Sequence, residues 1–181
     1  MAQDPARVPD APLPPGARVG VVASSYHAEL VDGMVRSAEA TLRAAGLAAD
    51  GLVRVDAPGA FELPLLARRL ALRDDLACVL CFGLVLKGET SHDRYIADAV
   101  AHALQRVALD TDKPVLFGVL TCDSLEQARA RALPAEQGGT LDKGREVARA
   151  ALGALAALEA AAAAGRPAAR RAGFGLPEVT R

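Results

Sequence analysis

Tryptophan is absent from this 181-residue chain, and aromatic residues of any kind make up 3% of it. With four Phe and two Tyr in all, a core built on stacked rings is excluded, and each ring present draws attention. Cysteine is scarce, at three. An odd count argues against a disulfide framework and fits a reducing compartment, so a cytoplasmic location is expected. Charge of one sign is lacking too: 21 basic against 22 acidic residues leave a net charge of −1. That balance gives no reason to expect nucleic acid or an anionic membrane as a partner. No apolar run reaches the roughly 18 residues that would span a bilayer. The Ala-rich stretch 148–164 is broken by Arg149, Gly153 and Glu159, and reads as a packed helix. The start of the chain has no charged head followed by an apolar run, so no signal peptide is expected.

What is present is a chain that is 51% hydrophobic, mostly Ala, Leu and Val, enough for one domain with a full core. Residues 1–16 hold five of the eleven prolines and little that could pack, and read as a flexible or extended lead-in. Residues 17–164 form the domain, and 165–181, with four arginines, read as a mobile tail. Within the domain, Arg18–Ala23 is a short β-branched run, the first strand. From Ala28 to Ala45 the spacing of Leu30, Val31, Met34, Val35, Ala38 and Leu42 predicts a helix closed by Gly46. Strands follow at Leu52–Val55, Ala77–Leu86 and Pro114–Leu120. Helices are expected at Phe61–Leu72, Asp93–Asp110, Leu125–Ala132 and Lys143–Ala164, with Pro64 tolerated in the first turn of its helix. This alternation predicts an α/β fold with a parallel sheet covered on both faces. Cys78 and Cys81 share one strand, where i and i+3 point to opposite faces, so the pair reads as two small buried hydrophobes and not as a chelate or bridge.

Every strand is followed by polar or aromatic residues, and in a parallel sheet those loops share one rim, where open α/β sheets bind ligands. Ser24-Ser25-Tyr26-His27 follows the first strand, Pro58-Gly59-Ala60-Phe61-Glu62 the second, and Gly88-Glu89-Thr90-Ser91-His92 the third. The fourth strand carries Phe117-Gly118-Val119-Leu120-Thr121. A lone histidine is ordinarily a capping or surface residue, but His92 follows a Gly-Glu-Thr-Ser turn at a strand end, and a proton-transfer role is favoured. The backbone N–H groups of that turn, at a helix start, suit an anion such as phosphate. His102 sits mid-helix without a motif; His27 is either a rim contact or a surface cap. Glu62 lies in a helical first turn, where the dipole alone favours a carboxylate; the alternative is hydrogen bonding to a polyol or the edge of a heterocycle. Tyr26 and Phe117 are either core residues or, at strand-end positions, a stacking slot for a flat ring. Arg131 and Lys143 are ordinary helix charges taken singly, and both suit a phosphate.

Five of these segments, in this order, resemble one family, the 6,7-dimethyl-8-ribityllumazine synthases: Pro58-Gly59-Ala60-Phe61-Glu62-Leu63-Pro64, Lys87-Gly88-Glu89-Thr90-Ser91-His92, Phe117-Gly118-Val119-Leu120-Thr121, Glu126-Gln127-Ala128 with Arg131, and Asp142-Lys143-Gly144. The likeness runs from about Val19 to Leu158. It implies a flavodoxin-like α/β/α sandwich around a four-stranded parallel sheet, and homopentamers with active sites between subunits. The implied reaction joins 5-amino-6-(D-ribitylamino)uracil to 3,4-dihydroxy-2-butanone 4-phosphate, the penultimate step of riboflavin biosynthesis, with no metal and no organic cofactor. By resemblance, His92 moves protons, and Arg131 grips the substrate phosphate with Glu89, Thr90 and Lys143. Tyr26 stacks on the pyrimidine, while Ala60, Phe61 and Glu62 line the pyrimidine and ribityl side. Leu84, Val85 and Leu86 form the strand edge beside the ring. Phe117, Arg131 and Lys143 come from the neighbouring subunit. Riboflavin synthase is an implied partner.

The chain departs from the family at three places. Tyr26-His27 stands where an aromatic-Asn pair is usual, which is similar to a divergent branch of the family. Asp93-Arg94-Tyr95 stands where an aromatic and then an acid follow the histidine; either Asp93 substitutes from one position earlier or nothing does. The link 132–142 is several residues longer than in shell-forming members, which points to a free pentamer, or a decamer of two pentamers, and not to an icosahedral shell. Two rival readings differ in class. One is a non-catalytic flavin- or lumazine-binding protein of the same fold. The other, ranked lower, is a generic FMN-binding flavodoxin-like protein, for which Ser24-Ser25 is too meagre a phosphate loop.

Overall fold

The computed structural model describes residues 11–164. Strand β1 (Arg18–Ser24) leads to helix α1 (Ala28–Ala44), β2 (Leu52–Ala57), a 3-10 turn (Ala60–Glu62) and α2 (Leu63–Ala71). Then come β3 (Leu76–Leu86), α3 (His92–Thr111), β4 (Val115–Cys122), α4 (Leu125–Ala132), a second 3-10 turn (Ala135–Gln137) and α5 (Lys143–Ala163). The four strands form one parallel sheet in the order β2-β1-β3-β4. Helices α1, α4 and α5 cover one face of it and α2 and α3 the other, the flavodoxin-like arrangement expected.

Burial explains which strands lie inside. In β1 and β3 nearly every residue is buried, because a parallel strand flanked by strands and covered by helices on both faces meets no water. The edge strands β2 and β4 carry exposed or half-exposed residues instead. On β2, Arg54 pairs with Asp32 at 2.6 Å and with Asp56 at 2.8 Å, a charged fringe that discourages further pairing along that edge. Cys78 and Cys81 enter the two different cores, as their spacing on a strand requires. Burial pushes the Cys78 thiol up to about 12 and raises Cys81 further, so both stay protonated near neutral pH and serve as apolar filling.

Element boundaries differ from the sequence reading where pairing and proline chemistry intervene. Strand β2 continues to Ala57, because Ala57 is the ladder partner of Ser24. Strand β4 continues to Cys122, opposite Leu86. The single helix expected from Phe61 to Leu72 is a 3-10 turn followed by α2, with Pro64 at the start of α2; proline has no N–H to give and fits only a first turn. Part of the expected lead-in is anchored to the domain. Leu13 is buried against the α1 side of the core and its N–H donates to the Ala45 carbonyl at 2.8 Å. Residues 1–10 of that lead-in and the tail 165–181 lie outside the described residues.

Helices α1 and α5 cross at unusually close range. A Cβ placed on Gly144 would fall inside the van der Waals shell of the Met34 carbonyl oxygen and lie 2.9 Å from the Ser37 Cβ. Beside it Asp142 caps α5: its Oδ1 accepts from the Arg145 N–H at 3.1 Å and from the Ser37 hydroxyl at 2.6 Å. The cap therefore ties the start of α5 to α1. Gly144→Ala should force the two backbones apart and cost roughly 2 kcal/mol or more, at the upper end of overpacking effects. A denaturant or thermal melt reads this directly, and an unchanged midpoint would contradict the packing described.

Candidate active site

Strand order dictates where a crevice opens. In the order β2-β1-β3-β4 the chain runs outward from β1 to β2 and then crosses back to β3, so the loops after β1 and β3 depart in opposite directions. Strand β3 also outruns β1. The β1–β3 ladder ends at Ala23 opposite Phe82, whereas β3 continues to Leu86 paired only with β4. Residues 83–86 thus have no ladder partner on the β1 side, and their backbone forms one wall of the crevice. Leu84 and Val85 are buried in opposite cores, so this wall consists of main chain and the half-exposed Leu86.

Three loops converge on it. After β1, both the Ser25 N–H and its hydroxyl donate to the Ala57 carbonyl at 2.9 Å, which joins the Tyr26 loop to the end of β2. Tyr26 then stands 69% exposed. Its ring carbons lie 3.6 Å from where a Cβ on Gly59 would sit, and Glu62 Oε2 lies 3.1 Å from the same point. A Cβ here would crowd the carboxylate and only touch the ring, so ring and carboxylate meet over Gly59. Ala60 and Leu63 pack over Gly83 of β3, beside the Ser24 hydroxyl, which is buried and has no hydrogen-bond partner among the described residues. Phe61, 62% exposed, reaches the third loop, where it lines a shallow cleft of about 330 Å³ with His92, Tyr95 and Ile96.

His92 opens α3. Its N–H donates to Thr90 Oγ1 at 3.4 Å, and Glu89 and Thr90 are exposed in the turn before it. Asp93 is turned inward, 9% exposed, while His92 faces out; consecutive helical residues do not face one another. No hydrogen bond joins them among the described residues. Tyr95, three residues on and therefore on the His92 face of α3, is a cleft residue that the sequence reading did not single out. Its signal was available, as one of two tyrosines in the chain.

Phe117, Arg131 and Lys143 lie elsewhere. Phe117 is not at a strand end: it is the third residue of β4, opposite Cys81 and five positions before Cys122. At about 3.3 Å per residue that places it some 16 Å down the strand from the rim. It projects, 40% exposed, from an edge strand. Arg131 lies near the end of β4, close enough that its charge offsets part of the rise that burial causes in the Cys122 thiol. Lys143, first residue of α5, pairs with Glu146 at 2.6 Å. Arg131 and Lys143 belong to helices on one face of the sheet, His92 and Phe61 to elements on the other. Among the described residues no hydrogen bond or ion pair joins the two groups.

The Gly59 contact is checkable without a ligand. With no tryptophan, ultraviolet emission comes from Tyr26 and Tyr95 alone. In a Tyr95→Phe background, Gly59→Leu, whose side chain reaches past the Cβ that alone would only touch the ring at 3.6 Å, should displace the Tyr26 ring and change its acrylamide quenching, with the melting temperature little altered. Identical quenching would contradict the packing of Tyr26 on Gly59.

Residues 16–159 match the family described as 6,7-dimethyl-8-ribityllumazine synthase. A protein of that name from Frankia casuarinae strain CcI3 is 48% identical over 150 residues, 81% of this chain and 89% of that protein. One from Leifsonia xyli subsp. xyli is 46% identical over 146 residues, 80% of this chain and 88% of its own length. One from Stenotrophomonas maltophilia strain K279a is 41% identical over 150 residues, 83% of this chain and 94% of its own. With a matching family model over most of its length and relatives this similar, the chain belongs to the 6,7-dimethyl-8-ribityllumazine synthase family.

Proposed function

We propose that this chain is the transferase of riboflavin biosynthesis that joins 5-amino-6-(D-ribitylamino)uracil to 3,4-dihydroxy-2-butanone 4-phosphate. Family membership supports this, and the observation that carries the reading to named residues is the crevice at the β1/β3 switch point. There an exposed ring (Tyr26), a carboxylate (Glu62), an open β3 edge and an imidazole (His92) converge. The chemistry asks for such a place. The amine condenses with the ketone to an imine with loss of water, phosphate is eliminated, and ring closure releases a second water. A flat pyrimidine laid against Tyr26 can hydrogen-bond to the unpaired β3 main chain at 84–86, the ribityl hydroxyls to Glu62. Ala60 and Phe61 close that side. His92 is the proton carrier, and holding both reactants together supplies much of the rate. The non-catalytic binding alternative is not favoured, since the relatives are named as synthases.

The phosphate end is the part a single copy leaves incomplete. Glu89 and Thr90 stand at the His92 turn, but Arg131 and Lys143 lie on the far side of the sheet. We assign Arg131, Lys143 and Phe117 to the neighbouring protomer's site, so that each site is shared across a head-to-tail interface of a cyclic oligomer. Arg131 supplies the bidentate grip on phosphate and its departure as a leaving group, with Lys143 as a point charge.

Mixing variants tests the shared site. Arg131→Ala should lower lumazine formation most and His92→Ala less, because solvent also carries protons. The two variants, refolded together, should regain activity, since about a quarter of randomly assorted interfaces then combine both intact halves. Full activity of both variants alone would remove these assignments, and no recovery on mixing would remove the shared site.

Assembly follows from the link 132–142. It folds back on α4, with the Thr140 and Leu141 N–H groups on the Ala130 carbonyl at 2.7 and 3.2 Å, and leaves residues 135–138 exposed as a projecting turn. A projection there favours a free pentamer or a pair of pentamers over a closed shell. Light scattering should give a particle of five or ten copies, and a particle near a megadalton would overturn the expectation.

A further inference from the structure

Three non-glycine residues among those described have a left-handed backbone: His27, Asp112 and Asp142. Two of them have a local reason. Asp112 ends α3, where a left-handed residue is the ordinary way to stop a helix. Asp142 is held by its own carboxylate, bonded to the Arg145 N–H and the Ser37 hydroxyl. His27, with φ 55° and ψ 44°, stands at the start of α1, yet its side chain makes no capping bond and no hydrogen bond or ion pair with a described residue. A strained conformation that its own side chain does not stabilise is held by what surrounds it.

The neighbours account for it. One residue before Tyr26, Ser25 is fixed to the end of β2 through both its N–H and its hydroxyl. One residue after Tyr26, the His27 carbonyl accepts the first turn of α1, from the Leu30 N–H at 3.0 Å and the Val31 N–H at 3.2 Å. Between these anchors the chain must turn from strand direction to helix direction, and Tyr26 stands at the apex. The left-handed step at 27 lets both anchors form while the Tyr26 ring is thrown outward over Gly59.

We propose that His27 is a positioning residue that acts through its backbone and not through its imidazole: its left-handed conformation aims Tyr26 over Gly59 and so governs affinity for the flat heterocycle. The inference rests on the reading of this crevice as the pyrimidine site. It makes position 27 selective for residue types that enter the left-handed region readily, namely Gly, Asn, Asp and His, and hostile to β-branched ones.

The test compares His27→Gly, His27→Asn and His27→Val, with His27→Ala in reserve, by steady-state kinetics and by quenching of Tyr26 emission in the Tyr95→Phe background. The Gly and Asn variants should keep the KM for the ribitylaminouracil within about threefold of wild type, because both accept the conformation. The Val variant should raise that KM by about tenfold, the left-handed penalty of an L-residue expressed as a smaller competent population. Its kcat should change little, and its Tyr26 quenching should shift. If Val does not fold, Ala weaker than Gly carries the same comparison, and Ala equal to Gly overturns the proposal. Gly and Asn as impaired as Val would assign the role to the imidazole and overturn it; so would a Val variant with wild-type KM and quenching. Wild-type protein that neither forms nor binds 6,7-dimethyl-8-ribityllumazine would instead sink the reading of the crevice, while the quenching series would still decide whether His27 aims Tyr26.

Discussion

Strand β3 outruns β1, and the geometry of the rim depends on that mismatch. An interior parallel strand has both edges occupied, and its main-chain groups are satisfied by its neighbours. Here four residues, 83–86, keep β4 on one side and have no strand on the other. The loops after β1 and β2 must then pass around an open main-chain edge, and they are drawn together by the bonds from Ser25 to Ala57. Small residues complete the arrangement. Ala60 and Gly83 allow the 3-10 turn to settle on β3, and Gly59 leaves room for a ring and a carboxylate in one place.

The same architecture divides the residues of the proposed site. Helices α2 and α3 cover one face of the sheet and α1, α4 and α5 the other, so cationic side chains on α4 and α5 are screened by the sheet from an imidazole on α3. A chain with this topology cannot close the whole constellation on itself. The exposed apolar residues agree with that division: Phe61, Leu65 and Tyr95 on the α2–α3 side and Phe117 on the β4 edge all face outward, more than a small polar surface needs. Unlike patches of this kind suit the head-to-tail contact proposed above better than a two-fold contact between identical patches.

Much of this was legible in the residues. The alternation of strands and helices marks a parallel sheet covered on both faces, and Cys78 and Cys81 fall in opposite cores because side chains alternate along a strand. Helix α4 lies at Leu125–Ala132, as its spacing indicates. What misled was local pattern without pairing partners. The segment around Phe61 has helical spacing throughout, yet Pro64 and the fit of Ala60 on Gly83 make its start a 3-10 turn. Phe117 looked like a rim aromatic because its whole segment was read as the strand's end, whereas it is the third residue of β4, five positions before Cys122. Leu13 looked idle among prolines because its partner, the Ala45 carbonyl, lies some thirty residues away.

By itself the sequence determined the element order, the two-faced burial of the central strands, the rim on which the polar loops gather and the family to which they belong. These follow from periodicity, turn chemistry and motif order, which are short-range properties carried by neighbouring residues. Tertiary structure alone decided that Asp93 turns away from His92, that Tyr26 lies on Gly59, that β3 has an open edge and that Arg131 and Lys143 stand across the sheet from the imidazole. Each of these depends on register, on helix phase or on which face a helix covers, and such relations exist only once segments distant in the chain have packed.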